Sequence, residues 1–416
     1  MKLPRSIFDI PRERRGRVRS GERVGSAGRF GRVGLATRHL SRRGAIVLLS
    51  IFMIGVSSLL ISAQFLEDVT DHYLAVRASA DGFRSRELAL AGFQASIAAL
   101  KTIPEDFLYQ KGVILKAANQ PDIELAKHCL DDAEKDCYYY MVGFRLQPED
   151  GKLNLNSLVR YDDQPNENYR RIVRRLFRSL NIDGENSDPI VDWIDENDYS
   201  ETAGAEDDYY NGLKPPRKIK NFRMFSLSEL PQIKGFDHDM LYNSRAPEDW
   251  EEQQKELSFQ TDDEKNLIQP EDWILSNNVT AFMPFTETAE DKVNINGARY
   301  FTLLSLSDAM TREAVMALFK LRRQSQGYIK NISELRELPE FQVPGGLPDV
   351  SLYQELAGTG GEVSGMIKTE GEYYRVVGVG TIIRQTDNNE QDTRAVRIVW
   401  GIWDKTNRRL IYYSEG

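Results

Sequence analysis

From Ala45 to Ala63 the chain reads AIVLLSIFMIGVSSLLISA, nineteen residues without a charge, close to the roughly 20 that carry a helix across a bilayer. Phe65 and Leu66 extend the run. Residues 1–44 hold thirteen Lys or Arg against three acids, a net of +10, while the whole chain is −9, which leaves −19 on everything that follows. Basic residues before an apolar helix and acids after it set the orientation. Residues 1–44 are expected in the cytoplasm and the bulk outside it. An acidic bulk repels phosphate, so no nucleic acid is expected as a partner.

A secretory signal peptide carries small residues at the far end of its apolar core and is lost with it. Here the boundary lies at the near end, where Ser41-Arg42-Arg43-Gly44 precedes the run. A Gly after basic residues at the cytoplasmic edge is the cleavage position of prepilin leaders, so the expected cut falls between Gly44 and Ala45 and leaves the apolar helix in place. Beyond the span, Phe83, Leu90, Phe93, Ile97 and Leu100 recur at spacings of seven, three, four and three, one apolar stripe on a helix. One long helix is therefore predicted from about Ala45 to Lys101, kinked or loosened near Gly82 and ended by Pro104.

The run CYYYMVGFRLQ predicts a strand, closed by the turn Glu149-Asp150-Gly151, with a second short strand at Lys152–Asn156. Near the far end EYYRVVGVGTIIRQ, RAVRIVWGIWD and RRLIYYS read as an antiparallel meander. A long N-terminal helix laid across such a sheet is the plan of pilins.

The middle of the chain repeats itself. Lys152-Leu-Asn-Leu-Asn156 returns as Lys292-Val-Asn-Ile-Asn296, and Leu227-Ser-Glu-Leu230 as Ile332-Ser-Glu-Leu335, with a basic helical stretch between the marks each time. The shared order points to duplication of a small helical unit. The first copy is 35 residues longer between its marks.

That extra length holds DGENSDPIVDWIDENDYSETAGAEDDYY, residues 183–210, with eleven acids and no Lys or Arg. A solvated acidic loop is one reading. The other notes that Trp193, Ile194, Tyr199, Tyr209 and Tyr210 would anchor the segment and crowd its carboxylates, which repel unless protonated or neutralised. Ca2+ takes six to eight oxygens from a flexible loop. Asp192, Asp195 and Asp198 are spaced by threes with Asn197 among them, and Gly204 lets the chain return to offer Glu206 and Asp207. The spacing is not that of an EF-hand. Arg170, Arg171, Arg174, Arg175 and Arg178 form a basic patch expected to partner the segment.

Cys129 and Cys137 are the two cysteines, eight positions apart and both on the exported side, where a disulfide between them is expected, with two free buried thiols as the alternative. No second ligand pair suggests zinc. The four histidines form no metalloprotease motif, and no nucleophile elbow or phosphate loop is present. No catalytic residues are expected, and a hydrolase using the acidic cluster finds no support.

Taken together, DGKLNLN (150–156), DWIDENDYSETAGAEDDYY (192–210), FSLSEL (225–230), KVNIN (292–296) and the helix RELALAGFQASIAAL resemble protein K of type II secretion, a large minor pseudopilin. Leu49, at the fifth position after the expected cut, fits as well. Most pilins carry Glu there for the subunit ahead, and a buried carboxylate in a membrane is kept only for a partner.

The resemblance implies an α+β fold: a transmembrane helix continuing into a pilin-like domain, long helix on antiparallel sheet, with a large inserted helical domain of two related units. Its expected divisions are a leader at 1–44, the membrane helix at 45–66, the pilin-like helix and first strands at 67–156, the insert at 157–345 and the pilin-like C-terminal sheet at 346–416. It implies structural calcium on the acidic segment, carried over to Asp192, Asp195, Asn197, Asp198, Glu206 and Asp207. It also implies a place at the tip of the pseudopilus in the inner membrane, processing by prepilin peptidase with methylation, and minor pseudopilins I and J and the major pseudopilin as partners, with the secretin and secreted substrates beyond.

A second resemblance is to membrane-anchored helix-hairpin-helix DNA receptors of competence systems, through VNIN, the basic helix and ISEL. Such hairpins need Gly-x-Gly to approach phosphate, and here Ser305–Met310 and Leu338–Phe341 carry acids and no glycine.

Overall fold

The computed structural model describes residues 42–110, 114, 122–130, 136–250, 268–281, 292–346, 349–358, 365–386 and 390–416. The leader up to residue 41 and most of the acidic tract 249–264 lie outside them. The chain divides into two units, Met1–Asp71 and His72–Gly416. In the first, the described residues are helical and their large apolar side chains are exposed, Leu48 at 71% and Leu59 at 72%. This helix is, among the described residues, the one long and apolar enough to cross a membrane.

The helix has bounds Arg42–Thr102 and stays helical through Gly82. One glycine without a proline beside it costs a helix only about 1 kcal/mol, too little to open it.

Nine strands are described: β1 (Ile123–Cys129), β2 (Cys137–Pro148), β3 (Leu153–Asn154), β4 (Val279–Thr280), β5 (Val293–Asn294), β6 (Ile367–Lys368), β7 (Tyr373–Gln385), β8 (Gln391–Asp404) and β9 (Arg409–Glu415). Five form an antiparallel sheet in the order β1-β2-β7-β8-β9. Ala89, Phe93 and Leu100 of the helix are buried with Leu146, Val376, Val399 and Trp403 of the sheet, so the predicted stripe at 83–100 is the face that packs, apart from Phe83, which is 63% exposed. The approach is close. A Cβ at Gly378 or Gly380 in β7 would strike the helix backbone at Ala89 and Ser85, which is why the strand reads VVGVGT.

Two results differ from expectation. Strand β1 was not predicted, because IELAKHC is exposed almost throughout and carries no alternation. Its last residue pairs across the ladder with Cys137, and the structure joins Cys129 to Cys137 as a disulfide, Cα–Cα 4.0 Å. The expected strand Lys152–Asn156 is shorter. Only Leu153–Asn154 is extended, after which a 3-10 turn, Leu155–Leu158, begins where the Asn154 side chain accepts from the Asn156 N–H.

The repeat has a physical basis. Strand β3 pairs in parallel with β4, and β5 with β6. In the first copy Asn156 Nδ2 donates to the carbonyls of Met224 and Ala281, both at 3.0 Å, and its Oδ1 accepts from Met224 N at 2.8 Å. In the second, Asn296 Nδ2 donates to Ile329 and Thr369, and its Oδ1 accepts from Ile329 N. Each buried amide ties the strand to two distant segments of its own copy. Each copy also has a 13-residue helix, Glu167–Ser179 or Arg312–Gln324. The ladders draw Leu153–Asn154 and Ile367–Lys368, outside the expected 157–345, into the helical units.

Candidate cation site in the acidic segment

The acidic segment is held from below by its apolar residues. Helix Asp188–Ile194 starts on Pro189, buries Ile190, Val191, Trp193 and Ile194, and sets Trp193 edge-on to Tyr210 at 5.4 Å. Tyr199 and Tyr209, expected as anchors, are exposed. Asp192 lies on the buried turn. Its carboxylate accepts from Ser200 Oγ at 3.1 Å, Glu201 N at 3.0 Å and Ala205 N at 2.6 Å. These bonds fold residues 200–205 back over the helix. A Cβ on Gly204 would overlap the Asp192 carboxylate, so glycine is needed for a close approach. Lys234 holds the same loop from outside, donating to the carbonyls of Ala203 and Gly204.

The fold-back brings Glu206 toward Asp195. Asp195 is 1% exposed. Its Oδ2 accepts from Asn197 Nδ2 at 2.9 Å, but among the described residues its Oδ1 has no partner, nor has either buried oxygen of Glu206. Burial, with Asp192, Glu206 and Asp163 nearby, pushes the Asp195 carboxyl up to about 8. Burial, with Asp192, Asp198 and Asp207, pushes Glu206 up to about 7. Burial also raises Asp192. Three orphaned carboxylate oxygens in a field of like charge call for protons or a cation.

Of the six predicted ligands, Asp192, Asp195 and Glu206 thus share one field. Asp198 is exposed, Asp207 accepts from Ile219 N, and Asn197 orients Asp195. Asp163 was missed. It stands in the loop after the first repeat mark with φ 61°, and both its oxygens accept from Glu196 N. Among the described residues, no three acids, histidines or cysteines stand close enough to hold a metal ion. The oxygens fit a hard cation in kind and in charge, but their positions do not form a closed shell.

The arginine patch partners a different part of the segment. Arg170 and Arg174 both reach Asp188 at 2.8 Å, and Arg170 also reaches Glu201 at 2.9 Å. Arg175 instead bridges to Asp308 and to the carbonyls of Ser305 and Leu306, and Arg171 bonds Asn168. On helix Asp188–Ile194 the arginines stop at Asp188, one turn short of Asp192 and about two short of Asp195.

This segment lies inside the stretch that has a family. Residues 151–245 match the model of the first domain of type II secretion system protein K. Over those residues the chain is similar to the type II secretion protein K family. A protein K relative from Escherichia coli (strain K12) is 32% identical over 121 residues, 24% of this chain and 37% of that protein. Protein K of Pectobacterium carotovorum subsp. carotovorum is 36% identical over 81 residues, 18% of this chain and 24% of that one. The chain thus spans between a quarter and two fifths of the protein K relatives it matches. The crystal structure of the GspK-GspI-GspJ complex from enterotoxigenic Escherichia coli is similar at TM-score 0.38 and 12% identity, covering 79% of this chain and 94% of that one. Likeness at that level carries no weight for contacts or partners.

Proposed function

We propose that this protein is a minor pseudopilin at the tip of a type II secretion pseudopilus, anchored in the inner membrane with its bulk in the periplasm. The observation that carries the reading is a protein K domain on a chain whose apolar helix continues into a helix packed on an antiparallel sheet. Cleavage by prepilin peptidase between Gly44 and Ala45, with methylation of the new end, would free that helix to join a filament. Leu49 leaves no carboxylate to meet a subunit ahead. Minor pseudopilins I and J are the proposed partners, with the major pseudopilin behind them and the secretin and secreted substrates in front. The role is structural, without catalysis.

Calcium belongs to the proposal. Asp195 and Glu206 would hold it, with Asp192 fixing the loop and Asp163 and Asn197 orienting the approach. Bound there, the cation would supply the positive charge that Arg170 and Arg174 give to Asp188. Asp192 closes the loop from within through three hydrogen bonds, while Lys234 holds it from outside.

The test is co-purification of the full chain in detergent with minor pseudopilins I and J, with calcium or with chelator. A stable ternary complex that weakens in chelator supports both parts. No complex from folded protein in either condition overturns the partner assignment, and a complex indifferent to chelator overturns the metal.

A further inference from the structure

Away from the acidic segment, the turn that links β2 to the first helical unit holds a second set of buried charges. Glu149 and Asp150 are fully buried and Lys152 is 7% exposed. Glu149 continues the β2–β7 ladder through its N–H to the Tyr373 carbonyl, 2.8 Å. Its carboxylate takes Arg375 of β7 in a two-point contact at 3.0 and 3.1 Å and Lys152 Nζ at 3.2 Å. Lys152 Nζ donates onward to the Ser276 carbonyl at 3.1 Å, three residues before β4. Glu149 therefore ties the sheet to the first unit.

Asp150 faces the second unit. Its backbone carbonyl accepts from Asn294 N at 2.8 Å, and its carboxylate accepts from Asn294 Nδ2 at 3.3 Å, Glu372 N at 2.8 Å and Lys368 Nζ at 3.0 Å. Asn294 lies in β5 and Lys368 in β6, while Glu372, which also pairs with Lys368 at 3.1 Å, immediately precedes β7. Between the two acids' contacts the backbones touch directly. A Cβ on Gly151 would sit 2.5 Å from the Gly297 carbonyl carbon, and one on Gly297 would strike Pro148. Neither position leaves room for a side chain or a water.

We infer that Glu149 and Asp150 form a charge-locked joint that fixes both helical units to the sheet, Glu149 gripping the first and Asp150 the second. Buried ion pairs of this kind add little net stability over apolar packing, but removing one partner strands the other, so they define one arrangement. Four consecutive residues here contact β7 and both repeat ladders. The helical units would then move with the sheet as one body. The inference concerns this chain's own contacts and stands whether or not the proposed partners are correct.

Peptide-resolved hydrogen exchange of the full chain in detergent tests it. Asp150→Asn should speed exchange about tenfold or more at 292–296 and 366–369, leaving 153–158 and 276–281 as in the parent. Glu149→Gln should do the reverse. Lys368→Met alone should open the second unit by leaving the buried Asp150 carboxylate without its cation, and in the Asp150→Asn background it should restore protection, because that carboxylate is then gone. Uniform acceleration across both units in either acid variant, unchanged exchange in both, or a double variant no better protected than Asp150→Asn would each overturn the joint.

Discussion

Glu149 and Asp195 are both carboxylates buried to 1% exposure or less, yet they sit in opposite electrostatic states. Burial alone would raise Glu149, but Arg375 and Lys152 overcome it and hold the carboxyl at about 2. Burial raises Asp195 to about 8, and its neighbours Asp192, Glu206 and Asp163 add to the rise. One acid has its cations built into the chain. The other has only more acids. Glu149 is neutralised by cations of the chain itself, and Asp195 is not.

The largest effect should come from the self-sufficient region. Glu149→Ala strands Arg375 and Lys152 and is expected to cost about 3–5 kcal/mol, read from denaturant unfolding and unaffected by chelator. Next, Asn156→Ala and Asn296→Ala each leave two carbonyls and an N–H without their buried partner, and about 3 kcal/mol apiece is expected. Equal losses would support the equivalence of the two copies, and a loss at one site alone would break it.

Asp195→Asn should act with the opposite sign from Glu149→Ala. In chelator at pH 8 it removes a repelled charge and is expected to stabilise by on the order of 2 kcal/mol, whereas in calcium it should weaken the segment.

The pH dependence separates the regions too. Asp195 and Glu206 have raised folded-state values, so in chelator their contribution is complete below about pH 4, the ordinary carboxyl range, and is lost as pH rises through about 7 to 8. Glu149 is held low, so its contribution is present above the ordinary carboxyl range and is lost as pH falls toward about 2. Melting curves in chelator at pH 5.5 and pH 8 should show the lower stability at pH 8. The smallest expected effect is at Glu201, whose partly exposed pair with Arg170 is worth about 1 kcal/mol or less by Glu201→Gln.

Much of this was legible in the sequence because period and composition carry it. The uncharged run, the stripe ending at Leu100 and the apolar strands β2, β7 and β8 follow from side chains that must face lipid or core. The repeat was visible because Asn156 and Asn296 perform one hydrogen-bonding task and cannot be exchanged for apolar residues. What was hidden depends on register across distance. Strand β1 buries almost nothing, so no pattern marks it, and its cysteine gives the one clue. Eleven acids look alike in sequence, but only Asp188 and Glu201 meet Arg170, because residues 170 and 174 lie one turn apart on the helix face that turns to them. Asp163 reaches the site by a left-handed backbone step that no spacing rule predicts.

The most direct measurement is hydrogen exchange of the full chain with and without calcium, comparing Ser200–Asp207 with Glu149–Asn156. Calcium is expected to slow exchange in the first stretch and to leave the second unchanged. Equal protection of both, or no change in either, would contradict it.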